Sequence, residues 1–248
     1  MAAPTAFRGL GAFSYTEFYV QAHEYLSIAT SLIVQVVLLI FVKILAPSLL
    51  GVALLGAIVF SVFSLGQRVQ NEAAFIRIDH KLNELYLASP LTPEAYFFGM
   101  SIGILAAYTL PIVLLLAVTY ALVGISASTG LTLLLVGGAV WLVTSSIGYI
   151  VSTLFRDMRT IWPYASLFYN LFGVLPPVFY PIGFLSGGLR TAALLIPSSA
   201  ATSLLQWSVH PAVLNTSEVA LGAGALAVET IGLFLFAIYW SRRTVREG

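Results

Sequence analysis

Six long apolar blocks, interrupted only by small or isolated polar side chains, organise the chain. They fall at about Tyr25–Leu45, Leu49–Gln67, Glu94–Val123, Leu131–Phe155, Ile161–Tyr180 and Glu218–Trp240. Crossing a bilayer takes roughly 20 predominantly apolar residues, and each block reaches about that length or exceeds it. Hydrocarbon offers backbone N–H and C=O groups no water, so a spanning segment must satisfy them internally as a helix. The predicted fold is therefore an all-α polytopic membrane protein of six transmembrane helices, with residues 1–248 forming a single transmembrane domain.

The segments between the blocks follow other patterns. From Ile76 to Leu87 the apolar residues Ile78, Leu82, Leu85 and Tyr86 fall on one helical face, and Asp79, His80, Lys81, Asn83 and Glu84 on the other. This predicts a short amphipathic helix at about 76–88, stopped by Ser89-Pro90. Thr92-Pro93-Glu94 then restarts a helix, with Thr92 as N-cap, Pro93 at the first helical position and Glu94 complementing the dipole. Ahead of the first block, Tyr15–His23 reads as an interfacial helix with Phe18, Tyr19 and Ala22 toward lipid. Between the fifth and sixth blocks, residues 181–217 are apolar but broken at Gly183, Gly187-Gly188, Pro197 and Pro211. Such a segment predicts helices that dip partway into the outer leaflet, which lipid permits only where protein covers the broken backbone.

Charge orients the bundle. Arg8, Arg68, Arg77, Lys81, Arg156, Arg159, Arg242, Arg243 and Arg246 fall on one side of the six-span pattern, and only Lys43 and Arg190 on the other, nine against two. Basic loops stay in the cytoplasm, so both termini are expected there. Composition adds that 8% of residues are charged and 59% hydrophobic, with mean hydropathy +0.97. A soluble domain carries about a quarter charged residues. With no cysteine, disulfides, thiolate metal sites and cysteine nucleophiles are excluded. Met1–Gln21 lacks a charged start, an apolar core and a small-residue cleavage site, so the first span is expected to be retained.

Catalytic signatures are sparse. No stretch fits G-x-x-x-x-G-K-[ST], so the chain cannot cradle ATP phosphates itself. His23, His80 and His210 lie in no metalloprotease frame, and no G-x-S-x-G elbow occurs. Near mid-span the polar residues are Gln35, Asn170 and Glu229. An ionisable group at that depth costs several kcal/mol, by roughly the scale of membrane insertion, unless it is paired or hydrated. Glu229 therefore reads either as part of a translocation path or as a hydrogen-bonded packing residue. A membrane-embedded enzyme, or a secondary transporter using Glu229, is the alternative class, although paired membrane charges and internal repeats are missing. Gly99 and Gly103 form a G-x-x-x-G that would let two helices approach closely, and Pro111 and Pro163 mark kinks.

Two stretches carry a resemblance. Arg77-Ile78-Asp79-His80-Lys81-Leu82-Asn83-Glu84-Leu85-Tyr86-Leu87-Ala88-Ser89-Pro90, followed by Gly99, resembles the charged loop of ABC type-2 exporter permeases. Leu175-Pro176-Pro177-Val178-Phe179-Tyr180-Pro181, followed by Leu189-Arg190, Pro197 and Gln206, resembles their pattern after the fifth span. Ser198-Ser199-Ala200 departs from that family's usual run.

The resemblance implies a permease that is not itself an enzyme and holds no cofactor. ATP and Mg would be bound by two separate P-loop ATPase subunits. Arg77, Asp79, His80, Lys81, Glu84 and Leu85 would form the coupling helix that docks on the ATPase. Arg156, Asp157 and Arg159 would make a second contact, and Phe179, Tyr180 and Pro181 would belong to an outer gate. The implied neighbours are a second permease, identical or a sibling, and membrane lipid, not nucleic acid. The implied location is the plasma or inner membrane, and the cargo an amphipathic or hydrophobic drug, lipid or lipid-linked glycan moved outward.

Overall fold

A computed structural model describes residues 8–78 and 91–247. All regular structure among them is helical: α1 (Leu10–His23), α2 (Tyr25–Leu45), α3 (Leu50–Ile78), α4 (Pro93–Ala107), α5 (Thr109–Val123), α6 (Ala127–Ser152), α7 (Met158–Val174), α8 (Gly187–Ala193), α9 (Pro197–Val209) and α10 (Thr216–Glu247), with short 3₁₀ turns at Pro47–Leu49, Ile182–Phe184 and Pro211–Val213. Four helices are long and apolar enough to cross a membrane, or five if the bent pair α4–α5 counts as one.

Helix α3 is the centre of the bundle, packing against α2, α4, α5, α6, α7 and α9. Its crossing with α6 is the tightest. A Cβ on Gly148 would lie 2.1 Å from the Gly66 carbonyl oxygen, and one on Gly66 would lie 2.4 Å from that of Thr144. Only glycine at both positions lets the two backbones touch. Around this contact Val59, Phe63, Val140, Tyr169, Leu204 and Leu205 form one buried cluster. Val69, Phe97, Met100, Ile104 and Tyr149 form another, nearer one end.

That end is the arginine-rich one. Arg77 Nη2 donates to the carbonyls of Ser152 and Phe155, both at 2.5 Å, so the end of α3 is tied to the end of α6. Arg242 near the end of α10 pairs with Glu94 at the start of α4. Trp240 Nε1 donates to Thr153 Oγ1 at 2.9 Å, and the Thr92 amide to the Arg8 carbonyl at 3.4 Å. Chain start and chain end thus meet at one end of the bundle. At the other, Arg190 Nη2 donates to Glu218 Oε2 at 2.8 Å and to the Val213 carbonyl at 2.9 Å. Arg77 and Arg242 thus act in one set of contacts and Arg190 in another.

Several expected boundaries change. The block Glu94–Val123 is two helices bent by 49° at Tyr108. Pro111 lacks an N–H and its ring crowds the carbonyl of Ala107, so α4 ends there. The block Leu49–Gln67 becomes a helix running on to Ile78, about three turns further. Residues 76–78 are its last residues, not the start of a separate amphipathic helix, and residues 79–88 of that expected helix lie outside the described residues. The block Ile161–Tyr180 starts earlier and ends earlier. Asp157 caps α7, its Oδ1 accepting from the Arg159 amide at 3.0 Å, and Pro176-Pro177 follows the helix end. At 17 residues α7 is about 26 Å long, short of a full crossing by itself. Helix α6 covers Ala127–Ser152 in place of Leu131–Phe155, since Ser126 Oγ accepts from the Thr129 amide at 3.1 Å and caps it early. Helix α10 similarly opens at Thr216, where Asn215 Oδ1 accepts from the Glu218 amide at 2.9 Å, and runs past Trp240.

Within residues 181–217, α9 is too short to span, yet Ser198–Gln206 are all buried, packed on α3, α6, α7 and α10. Protein covers this stretch of the broken segment, whereas Phe184, Leu189 and Leu195 are exposed.

Alanine at Gly148 should lower the unfolding midpoint of the purified protein in detergent, by about 1–3 kcal/mol as overpacking costs. Gly137→Ala, which meets nothing within 4 Å, should be neutral or raise it slightly, because glycine weakens a helix interior.

Candidate functional site

The sequence-predicted residues divide by place. Asp79, His80, Lys81, Glu84 and Leu85 lie outside the described residues. Arg77 faces inward, its guanidinium capping carbonyls at the end of α6, where a cation also complements the helix dipole. Arg156, Asp157 and Arg159 are exposed in the α6–α7 turn, immediately beside the end that Arg77 clamps. They offer a charged, solvent-facing step rather than a cavity.

The mid-span polar residues do not form one constellation. Gln35 is 3% exposed, and its Oε1 accepts from Ser61 Oγ at 2.8 Å, joining α2 to α3. Asn170 is exposed on α7 and donates to the Ser166 carbonyl one turn back at 2.8 Å. Glu229 is half-buried on α10, and its Oε2 has no hydrogen-bond partner. Near the opposite end, Phe179 is buried edge-on against Phe60, with ring centroids 5.7 Å apart. The Tyr180 hydroxyl donates to the Leu175 carbonyl at 2.9 Å while its ring stacks on Phe184. Pro181 leads into the 3₁₀ turn Ile182–Phe184. Of these three residues Phe179 is the one that packs on α3.

A polar site that the sequence did not reveal lies where α1 meets α3. The expected interfacial helix is longer than Tyr15–His23 and its inward face is Phe13, Glu17 and Gln21, while Tyr15, Phe18, Tyr19 and Val20 point outward. Its approach to α4 uses Gly99 and Gly103. A Cβ on Gly103 would lie 2.5 Å from Glu17 Cβ and 2.7 Å from the Ser14 carbonyl oxygen. The G-x-x-x-G pattern therefore serves an interfacial helix, not a pair of spans.

On the α3 side, Gln21 Nε2 donates to Glu72 Oε2 at 2.8 Å. Arg68 donates to Ser27 Oγ and lies 4.9 Å from the centre of the Tyr108 ring. These residues edge a cleft of about 380 Å³ between α1, the start of α2, the last turns of α3 and the start of α7. Glu17 is 3% exposed and its Oε2 has no hydrogen-bond partner, and Asn71 Oδ1 likewise has none. Burial, with the charge of Glu72 adding to it, pushes the Glu17 carboxyl up to about 8. The available signal was spacing: Phe13, Glu17 and Gln21 recur every fourth residue, so a polar and an aromatic side chain share one stripe.

The second missed set is on α9, where the buried Ser199, Ser203 and Gln206 have side-chain polar atoms without hydrogen-bond partners. Among the described residues no group of three histidine or acidic side chains could hold a metal ion.

The family model described as ABC-2 type transporter matches residues 12–209, from within α1 to the end of α9. No curated protein matches the chain.

The raised Glu17 carboxyl makes stability depend on pH. Its folded value of about 8 lies above its ordinary 4.5, so the folded state holds this proton more tightly. The associated stability is fully present below pH 4.5 and is lost as pH rises to about 8. Thermal unfolding between pH 5 and 9 should show that decline in the parent. In Glu17→Gln the decline should be absent, leaving the variant the more stable at pH 8.5 by up to a few kcal/mol, at about 1.4 kcal/mol per unit.

Proposed function

Because the chain belongs to the ABC-2 type transporter family, we propose that it is the membrane-spanning subunit of an ATP-driven exporter, powered by ATPase subunits on separate chains. The observation that carries this reading is mechanical. Helix α3 leaves the apolar part of the bundle and continues unbroken to Ile78, directly before the charged segment 79–88. There Arg77 locks it to the end of α6. A push that reaches Ile78 would enter the two helices that cross at Gly66 and Gly148.

On this reading Asp79, His80, Lys81, Glu84 and Leu85 dock into the ATPase, and Arg156, Asp157 and Arg159 make the second contact. Each of two ATPases binds ATP and Mg. The chain crosses six times, with α4–α5 as one bent crossing and α7 completed by the residues after it. Both termini then face the cytoplasm of a plasma or inner membrane, in keeping with the basic residues gathered at one end. Exposed apolar faces support a second copy or sibling permease as partner: Ile33, Val37, Phe41 and Ile44 on α2, and Trp162, Leu167 and Leu171 on α7. Closure of the ATPases shifts these helices across the seam and passes a hydrophobic or amphipathic substrate outward past Phe179, Tyr180 and Pro181. The two states must differ in affinity for ATP for this to be driven.

Charge reversals at Asp79, Lys81 and Glu84 should each lower substrate-stimulated ATPase activity of the purified complex about tenfold or more, since like charges facing each other across an interface cost several kcal/mol. Folding should be intact, as judged by the unfolding midpoint. Arg77→Glu should behave differently and lose stability, because its guanidinium is bound within the bundle. Full activity in all three reversals would refute the docking role. Transport that ignored ATP and was abolished by Glu229→Gln would favour the secondary-transporter reading instead.

A further inference from the structure

The cleft beside α1 holds two buried polar atoms that the protein leaves unmatched. Most of the other polar side chains around it have partners within the chain. Thr16 Oγ1 donates to the Ala12 carbonyl at 3.0 Å, Gln21 Nε2 donates to Glu72 Oε2 at 2.8 Å, and Arg68 is held by Ser27 Oγ and the Tyr108 ring. Glu24 is exposed. What is left is Glu17 Oε2, on a side chain 3% exposed, and Asn71 Oδ1; both atoms are buried and neither meets a hydrogen-bond partner. Burial keeps the Glu17 carboxyl protonated up to about pH 8, so at neutral pH it is an O–H donor, while Asn71 Oδ1 is an acceptor. Both groups are uncharged. Elsewhere the lining is apolar and aromatic, with Val20 on α1, Phe75 and Ile76 on α3, and Met158 and Trp162 on α7.

We propose that this cleft binds the hydroxyl of an amphipathic alcohol, whose oxygen accepts from the Glu17 carboxyl, whose O–H donates to Asn71 Oδ1, and whose apolar portion lies along Phe75, Met158 and Trp162. A hydroxyl accepts and donates at one atom, so it answers both unmatched groups without bringing charge into a buried place. An ammonium has donors only and gives the Glu17 O–H nothing to bond to. An anion would need a free cation, and the guanidinium on the cleft lining is engaged. A single water satisfies the same two groups but leaves the rest of a volume of about 380 Å³ against apolar walls. As cargo recognition the proposal rests on the exporter reading; as binding it does not. The hydroxyl belongs either to a free alcohol or to a lipid such as diacylglycerol, and both present the same donor and acceptor.

The test uses the full chain, with whatever subunits purify with it, in nanodiscs of phosphatidylcholine, whose headgroup carries no hydroxyl. Binding of 4-phenylbutan-1-ol at neutral pH is followed by calorimetry, with the signal of empty nanodiscs subtracted. Its methyl ether keeps the acceptor oxygen and loses the O–H, and butylbenzene loses both. The alcohol should bind about tenfold more tightly than the ether, which leaves Asn71 unmatched, and butylbenzene should be weaker still. Glu17→Ala and Asn71→Ala should each weaken the alcohol about tenfold. Glu17→Gln, which supplies an N–H donor in place of the O–H, should hold near the parent affinity, and Gly137→Ala should leave it unchanged. Parent affinity should fall as pH rises through about 8, where Glu17 loses its proton. That fall should be absent in Glu17→Gln, which keeps Glu24, Arg68 and Glu72 on the lining and Tyr108 beside Arg68. Nanodiscs containing diacylglycerol then separate the sources. Competition identifies the lipid and undiminished binding identifies a free alcohol, each consistent with the site. Equal affinity for alcohol and ether, or unchanged binding in folded Glu17→Ala and Asn71→Ala, overturns the proposal; the ligand comparison needs only the parent protein and decides even where a variant fails to fold. Since ATP plays no part in this measurement, such a failure would leave the ATPase-docking reading standing.

Discussion

The backbone contact between α3 and α6 is the constraint on which the rest of the bundle depends. In lipid the hydrophobic effect does not draw one helix to another, so association rests on close van der Waals packing and on the few polar contacts available. Gly66 and Gly148 bring the two backbones together. The same approach sets Tyr169 of α7 where its hydroxyl reaches the Thr144 carbonyl at 3.3 Å while its ring meets Phe63 edge-on. Helix α9 packs on α3, α6 and α7 together. One pair of glycines thus places four helices.

Polar groups lock the arginine-rich end, where apolar packing gives way. Arg77 joins α3 to α6, Arg242 joins α10 to α4, and Trp240 joins α10 to the residues after α6. Helix α1 adds a second layer by laying Glu17 and Gln21 against α3 and α4 while presenting Tyr15, Phe18 and Tyr19 outward. A rigid end and a polar cleft therefore occur side by side.

Legibility in the sequence followed the reach of each interaction. Apolar blocks and caps were readable because they depend on neighbours within a turn or two: Thr92 and Pro93 opened α4 where expected, and Tyr25–Leu45 is a helix over that range. The bend at Tyr108 was anticipated only as a kink at Pro111, since whether a proline bends or breaks a helix depends on what packs beside it. Gly99 and Gly103 were legible as a close-approach pair but not the helix that fills it, because a glycine pattern names a groove and not its occupant. Gly66 and Gly148 stand 82 positions apart, and no local pattern links them.

What the sequence determined by itself was the solvent and the helical character of the chain. Long apolar runs force helices in hydrocarbon. Tertiary structure alone decided which polar residues would be internal. Glu17 on an interfacial helix has the same composition-level signature as a solvated carboxylate, and only the seating of α1 against Gly103 and Glu72 buries it. Arg77 read as an exposed docking charge until the end of α6 was brought beside it. Burial of a single side chain is a property of its neighbours in space, and those neighbours lie too far along the chain for periodicity to identify.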